Sequence, residues 1–75
     1  MAKARQLVIC VNNSGYEVAL ERRKIYVSVP DAAAQKHGYI RVIDDSGEDY
    51  LYPVSMFVAV TLPAAVKRAV LRSAA

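Results

Sequence analysis

The residues best suited to chemistry in this chain are four carboxylates that fall within six positions. They belong to Asp44, Asp45, Glu48 and Asp49. Such a group could bind a hard cation or act as general acid and base. The spacing is not that of an EF-hand loop, however, and no second acidic group completes a coordination sphere. Because Asp, Ser and Gly also favour tight turns, we interpret the segment around Ser46 and Gly47 as a hairpin turn without metal.

Nucleophilic catalysis has little support. His37 is the only histidine and Cys10 the only cysteine. A catalytic pair would need a serine or this cysteine against the imidazole, and no spacing in the chain predicts one. A single cysteine excludes an intramolecular disulfide and a thiolate metal site, and the three isolated glycines form no phosphate-binding loop. We therefore predict that the protein is not an enzyme, with no catalytic residues, cofactor or metal.

Five tyrosines make binding a stronger hypothesis than catalysis. Tyr26 alternates with aliphatic neighbours, as do Tyr50 and Tyr52 on either side of Leu51. Successive side chains of a strand point to opposite faces, so these three rings are expected on the outer face of the sheet. The alternative is that they shield the sheet and pack under the C-terminal helix.

Basic residues suggest a second kind of partner. They form three groups, which are Lys3 with Arg5, Arg22-Arg23-Lys24, and Lys67-Arg68 with Arg72. Cations beside exposed aromatic rings are typical of single-stranded nucleic-acid binders. The alternative site for nucleic acid therefore consists of Arg22, Arg23, Lys24 and Arg41. Against it, the formal net charge of +3 would neutralise few phosphates.

The elements that must position these residues are short strands in one domain, since 75 residues allow no more than one. Strands are predicted at Leu7–Val11 and Ile25–Val29, then on both sides of the acidic turn, and at Phe57–Val60. Gly47 is expected at positive φ in the turn. Pro53 should end strand pairing, because proline cannot donate to the ladder, and Val54–Met56 can form one tight turn.

Two helical segments complete the prediction. Asp31 can cap a short helical turn near residues 31–37, and Gly38 can end it in the left-handed conformation. Pro63 suits the start of a helix that continues to Ala74. Its apolar face comprises Leu62, Val66, Ala69, Val70 and Ser73. This face is expected to pack on the sheet, or else to form a basic amphipathic tail for a partner or a homodimer.

The order of these elements resembles an SH3-like small β-barrel. The likeness covers about residues 7–60 and depends on the segments LERRKIYV (20–27) and LYPVSMFV (51–58). It implies a mainly β fold, a five-stranded antiparallel barrel over residues 1–62 with the helix at 63–75. The combination of RKIY, IRVIDDSGEDYLYP and the following Phe57 also resembles small uncharacterised bacterial proteins, which implies no activity.

The SH3 resemblance implies a binding surface. SH3 domains hold polyproline II peptides between tyrosines and a proline, and Tyr16, Tyr52, Pro53 and Phe57 match those positions. The chain departs from the pattern because it has no tryptophan. We expect an adaptor module whose protein partner contacts a face comprising Tyr16, Tyr26, Tyr50, Tyr52, Pro53 and Phe57.

The apolar run Leu7–Val11 is too short for a signal peptide or a membrane span. With one free cysteine, this favours the reducing cytoplasm. No membrane association is expected, and the protein is predicted to be a monomer or a weak homodimer.

Overall fold

The computed structural model describes residues 5–73 and confirms a mainly β chain with five antiparallel strands and two helices. The elements in chain order are β1 (Gln6–Cys10), β2 (Ile25–Val29), α1 (Ala32–Lys36), β3 (Tyr39–Ile43), β4 (Asp49–Pro53), a 3-10 turn (Val54–Met56), β5 (Phe57–Val60) and α2 (Ala64–Ser73). Lys3 and the predicted helix end at Ala74 lie outside the described residues.

The strands form one sheet in the order β4-β3-β2-β1-β5, with every neighbouring pair antiparallel. Within residues 5–73, the two edge strands β4 and β5 each pair on one side only, so the sheet is not closed. The predicted five antiparallel strands are therefore present as an open sheet.

Local sequence signals explain how the elements begin and end. Asp31 accepts a 3.0 Å hydrogen bond from the backbone N–H of Ala34 and caps α1 as predicted. Gly38 adopts φ +78° at the end of α1, and Gly47 adopts φ +85° in the β3–β4 turn. Both positions need the left-handed conformation that glycine adopts without steric cost.

The core lies on one face of the sheet, which we call the inner face. Val8 and Cys10 of β1 lie there beside Val42 of β3. The long loop between β1 and β2 folds over this face and inserts Leu20, which is fully buried. A 2.9 Å hydrogen bond from Asn13 Nδ2 to the carbonyl of Leu20 holds the loop in place. The core is thus assembled from strands and loop together.

The expectation that Tyr26 and Tyr52 line the outer face is wrong. Their exposed fractions are 4% and 3%, and both rings belong to the inner-face core. Phe57 is buried with them, and its ring meets both tyrosine rings edge to face. A tyrosine can be buried when its hydroxyl finds a partner, and both hydroxyls reach carboxylates at the rim of the core. Tyr50 is also on the inner face, because strand pairing places it opposite Val42, although its side chain is exposed.

The opposite, outer face carries the aliphatic residues instead. Leu7 and Val27 are cross-strand neighbours on it and are buried. Helix α2 lies against this part of the sheet, because Leu62 and Lys67 share a pocket with Leu7, and Val70 shares one with Val27. The helix covers only part of the outer face, which leaves other aliphatic side chains exposed.

Candidate functional site

Three exposed aliphatic side chains and one half-buried neighbour form a contiguous apolar surface on the outer face. Strand pairing places Ile9 of β1 directly between Ile25 of β2 and Val58 of β5. Val11 continues the alternation of β1 onto the same face. The exposed fractions are 48% for Val11, 36% for Ile25 and 54% for Val58. We call Ile9, Val11, Ile25 and Val58 the aliphatic patch.

The sequence of β1 explains why this patch exists. Residues 7–11 are apolar at every position, so both faces of the strand carry apolar side chains. On the inner face, Val8 and Cys10 are covered by the core. On the outer face Leu7 is 2% exposed, whereas Ile9 and Val11 are more exposed. A contiguous set of uncovered aliphatic residues is typical of an interaction surface.

A basic loop borders the aliphatic patch. It comprises Arg22, Arg23 and Lys24 and leads directly into Ile25. Two backbone hydrogen bonds hold it against the end of β1: Arg23 donates to the carbonyl of Cys10 at 2.7 Å, and Cys10 donates to the carbonyl of Lys24 at 3.0 Å. Arg23 has φ +69°, an uncommon backbone conformation for a residue other than glycine. The loop is therefore fixed beside the patch.

Two of the four cations predicted for nucleic acid are already paired. Lys24 Nζ lies 2.5 Å from Asp45 Oδ1, and hydrogen bonding to Asp45 raises the pKa of Lys24. Arg41 donates to Asp31 at 2.9 Å and to Asp49 at 3.3 Å.

Arg22 and Arg23 form no ion pair with a carboxylate among residues 5–73. The structure therefore leaves two of the predicted cations available to a phosphate without rearrangement.

In the acidic turn, the carboxylate of Asp44 accepts hydrogen bonds that stabilise the fold. The Tyr52 hydroxyl donates to Oδ2 of buried Asp44, while the backbone N–H of Ser46 donates to Oδ1 at 2.9 Å. Burial alone would raise the pKa of Asp44, but the hydrogen bonds from Ser46 and Tyr52 outweigh it and hold the pKa below its ordinary value. The Asp44 carboxylate thus joins the turn to the core.

The neighbouring carboxylate of Asp45 also accepts a hydrogen bond from a buried tyrosine, Tyr26. Both of its carboxylate oxygens lie 3.1 Å from the Tyr26 hydroxyl, which also accepts a 2.7 Å hydrogen bond from the backbone N–H of Glu21. Burial is the main cause that raises the pKa of Tyr26. Through Tyr26, the β1–β2 loop and the acidic turn are connected.

Three of the six residues predicted to contact a protein partner are inaccessible. Tyr26, Tyr52 and Phe57 lie in the core and could reach a partner only if the fold opened. Tyr16 is partly exposed, with its ring 5.0 Å from that of Tyr52, and Tyr50 is exposed and donates to Glu48.

Pro53, also predicted as a partner contact, is partly buried. The predicted tyrosine face is therefore not one continuous exposed surface. Sequence reasoning missed the aliphatic patch, although its signal is present in the uninterrupted apolar run of β1 and in the Phe-Val-Ala-Val sequence of β5.

A pocket of about 410 Å³ lies between α2 and the sheet, where β2 and β3 separate. Ile25, Val27, Ile43 and Val70 supply its apolar lining, and Lys24, Asp44 and Asp45 also line it. This pocket adjoins the aliphatic patch through Ile25 and extends the apolar surface under the helix.

Neither the histidine nor the cysteine forms part of a reactive cluster. Cys10 is fully buried in the core, and His37 is exposed at the end of α1. Among residues 5–73 no three His, Cys, Asp or Glu side chains come close enough to hold a metal ion together. The described helices include none with the length and apolar character that a membrane crossing needs.

Comparison with protein-family models, with curated proteins and with solved structures finds no significant match to this chain.

Proposed function

We propose that this chain is a non-enzymatic binding module that contacts a protein partner through the aliphatic patch. The observation that carries the proposal is the row Ile25, Ile9 and Val58, which runs across three paired strands on the uncovered part of the outer face. A contiguous apolar centre with a polar or charged rim is the common design of a protein interface. The basic loop supplies such a rim on one side, beside Ile25.

Nucleic-acid binding is the alternative, and the geometry supports it less well. Lys24 and Arg41 are engaged by carboxylates, so their use by phosphate would require existing ion pairs to break. Base stacking also needs exposed rings, and of the three strand tyrosines Tyr26, Tyr50 and Tyr52 only Tyr50 is exposed. Arg22 and Arg23 remain as candidates for a weak electrostatic contact.

We further propose that the sheet belongs to the SH3-like class, as the sequence resemblance implies. Three features support this: the β3–β4 hairpin, the 3-10 turn before β5, and the pairing of β5 with β1. A proline-peptide groove is not part of the proposal, because two of its matching residues, Tyr52 and Phe57, are in the core. A cytoplasmic location is proposed from the lone, buried thiol of Cys10.

The first test measures partner capture by the purified protein and by a double variant, Val11→Ser with Ile25→Ser. A control double variant, Val18→Ser with Val54→Ser, removes two exposed aliphatic side chains outside the patch. We expect a specific protein retained by the wild type and by the control to be lost from the patch variant, because its apolar contact area is gone. Equal retention by both variants would contradict the proposal.

The second test separates protein from nucleic acid. Amide chemical shifts are followed while mixed-sequence single-stranded RNA is added, first at low and then at physiological salt. Phosphate contacts weaken steeply with salt, so we expect any shifts at Arg22 and Arg23 to vanish at physiological salt. Shifts that persist there and disappear in the Arg22→Ala, Arg23→Ala variant would favour the nucleic-acid alternative.

A further inference from the structure

The two edges of the sheet differ in how they are protected. Edge strands expose unpaired backbone groups, and proteins commonly guard them with charged residues and proline. Strand β4 has Asp49 at one end and Pro53 at the other. Strand β5, with the sequence Phe-Val-Ala-Val, has neither charge nor proline. Of the two edges, β5 is the one open to a further strand.

The surroundings of β5 are suited to a strand that continues the sheet. Within residues 5–73, β5 pairs only with β1, so one side of its backbone has no strand neighbour. Val58 and Ala59 are both exposed, one on each face. An added strand would place alternate side chains next to Val58 and so extend the aliphatic patch by one position.

Charge indicates which strand would fit. Residues 54–75 contain three basic residues and no Asp or Glu. One of them, Lys67, lines a pocket of about 210 Å³ with Ala59 and Val60 at the end of β5. No carboxylate within residues 5–73 forms an ion pair with Lys67. A carboxylate on an added strand would meet this cation.

The same charges disfavour a second copy of β5 as the occupant. An edge-to-edge pair of identical β5 strands would bring two basic α2 helices together, with no acidic residue in either 54–75 segment to compensate. Like charges at an interface oppose association. A different, acidic partner avoids this repulsion.

We propose that the open edge of β5 binds an extended segment of a partner protein in which an aliphatic and an acidic residue lie two positions apart, so that both side chains point to the outer face. The segment adds as a sixth strand, with its backbone hydrogen-bonded to β5, its aliphatic side chains beside Val58 and a carboxylate near Lys67. This inference rests on the proposed function, since it names the partner's chemistry at the border of the aliphatic patch.

The experiment uses a synthetic probe, an acetylated and amidated peptide of about six residues, the length of an ordinary strand. Valine and glutamate take turns along one face of this peptide, and threonine occupies the positions between them. Amide shifts and hydrogen exchange of the labelled protein are recorded during titration. We expect shifts and slower exchange concentrated in Phe57–Val60. A peptide of the same sequence with alternate backbone nitrogens methylated cannot complete the hydrogen-bond ladder. We expect its affinity to be lower by a factor of about ten or more.

Matched variants test the role of charge. Lys67→Glu should weaken binding of the glutamate peptide by about three- to fivefold, the effect of one exposed ion pair, and should improve binding of the corresponding valine–lysine peptide. Arg68→Glu is the control, because it makes the same change of net charge on the neighbouring residue of α2, outside the Lys67 pocket. Unchanged amide spectra away from α2 establish that both variants remain folded.

Three outcomes would overturn the inference: no shifts in Phe57–Val60 with the glutamate peptide, equal binding of the methylated peptide, or equal effects of Lys67→Glu and Arg68→Glu. Concentration-dependent shifts of β5 without peptide would also overturn it, by making a second copy the occupant. If peptide binding fails while capture still depends on Val11 and Ile25, the proposed function stands without strand addition. If that dependence is also absent, both proposals are wrong.

Discussion

The Tyr52 hydroxyl donates a 2.5 Å hydrogen bond to Oδ2 of Asp44, which connects the edge strand β4 to the turn that precedes it. Both residues are buried, and Ser46 occupies the other oxygen of the same carboxylate. A buried carboxylate is tolerated only where hydrogen bonds replace its lost hydration. This relationship explains why a ring predicted for partner binding lies in the core instead.

Removal of the Tyr52 hydroxyl should destabilise the protein. We expect Tyr52→Phe to lower the free energy of unfolding by about 1.5–3 kcal/mol, the usual contribution of a hydrogen bond to a charged group. Urea denaturation measures the change. Tyr50→Phe is the control, since its hydroxyl bonds to Glu48 at the surface, and its effect should stay within about 0.5 kcal/mol. Similar losses for both variants would contradict a special role for the buried pair.

Acid should destabilise the fold through the Asp44 carboxylate. Its pKa in the folded protein is held below the ordinary value, so its contribution to stability is complete above about pH 4, the unfolded pKa. That contribution is lost as the pH falls through the lower, folded pKa. Denaturation at a series of pH values should show this fall, and the Asp44→Asn variant should show a shallower one. An equal slope in both proteins would rule out Asp44 as a source.

Alkali should destabilise the fold through the buried phenols. Burial, together with hydrogen bonding to Asp44, raises the pKa of Tyr52, and burial is also the first cause of the raised pKa of Tyr26. Both groups therefore favour folding below about pH 10, their unfolded pKa, and this contribution is lost as the pH rises further. Tyrosinate absorbance should show that Tyr26 and Tyr52 ionise only as the circular dichroism signal of the fold is lost. Their ionisation in the intact fold near pH 10 would contradict this.

Glycine at position 23 should stabilise the protein. Arg23 holds φ +69°, where a residue with a Cβ incurs about 1–2 kcal/mol of steric cost. Arg23→Gly relieves that cost and loses about 0.5–1 kcal/mol of chain entropy, so we expect a gain of up to about 1.5 kcal/mol. Thermal denaturation measures it. Arg22→Gly, at a position without positive φ, should give no gain, and a loss of stability in Arg23→Gly would show that the side chain itself stabilises the loop.

Local sequence signals were sufficient for much of the fold. Asp31 and Gly38 predicted the short helix, because a cap and a left-handed residue act within one turn of the chain. Gly47 and Pro53 predicted the hairpin and its end in the same way. These features depend on neighbouring residues and on backbone geometry, so they can be read from the chain alone.

The identity of the buried face could not be read in this way. Strands β2 and β4 alternate between tyrosines and aliphatic residues, and alternation separates the two faces without saying which is covered. That was decided by where the β1–β2 loop places Leu20, and by Asp44 and Asp45, which supply partners for the Tyr52 and Tyr26 hydroxyls.

The amino-acid sequence by itself determined the class of the protein, five short strands and a C-terminal helix, because periodicity, caps and turn residues are local. Only the tertiary structure decided that the tyrosines face inward, that Lys24 and Arg41 are paired, and that Ile9, Val11, Ile25 and Val58 meet on one surface. Each of these depends on residues far apart in the chain. Burial and charge pairing are properties of such distant contacts.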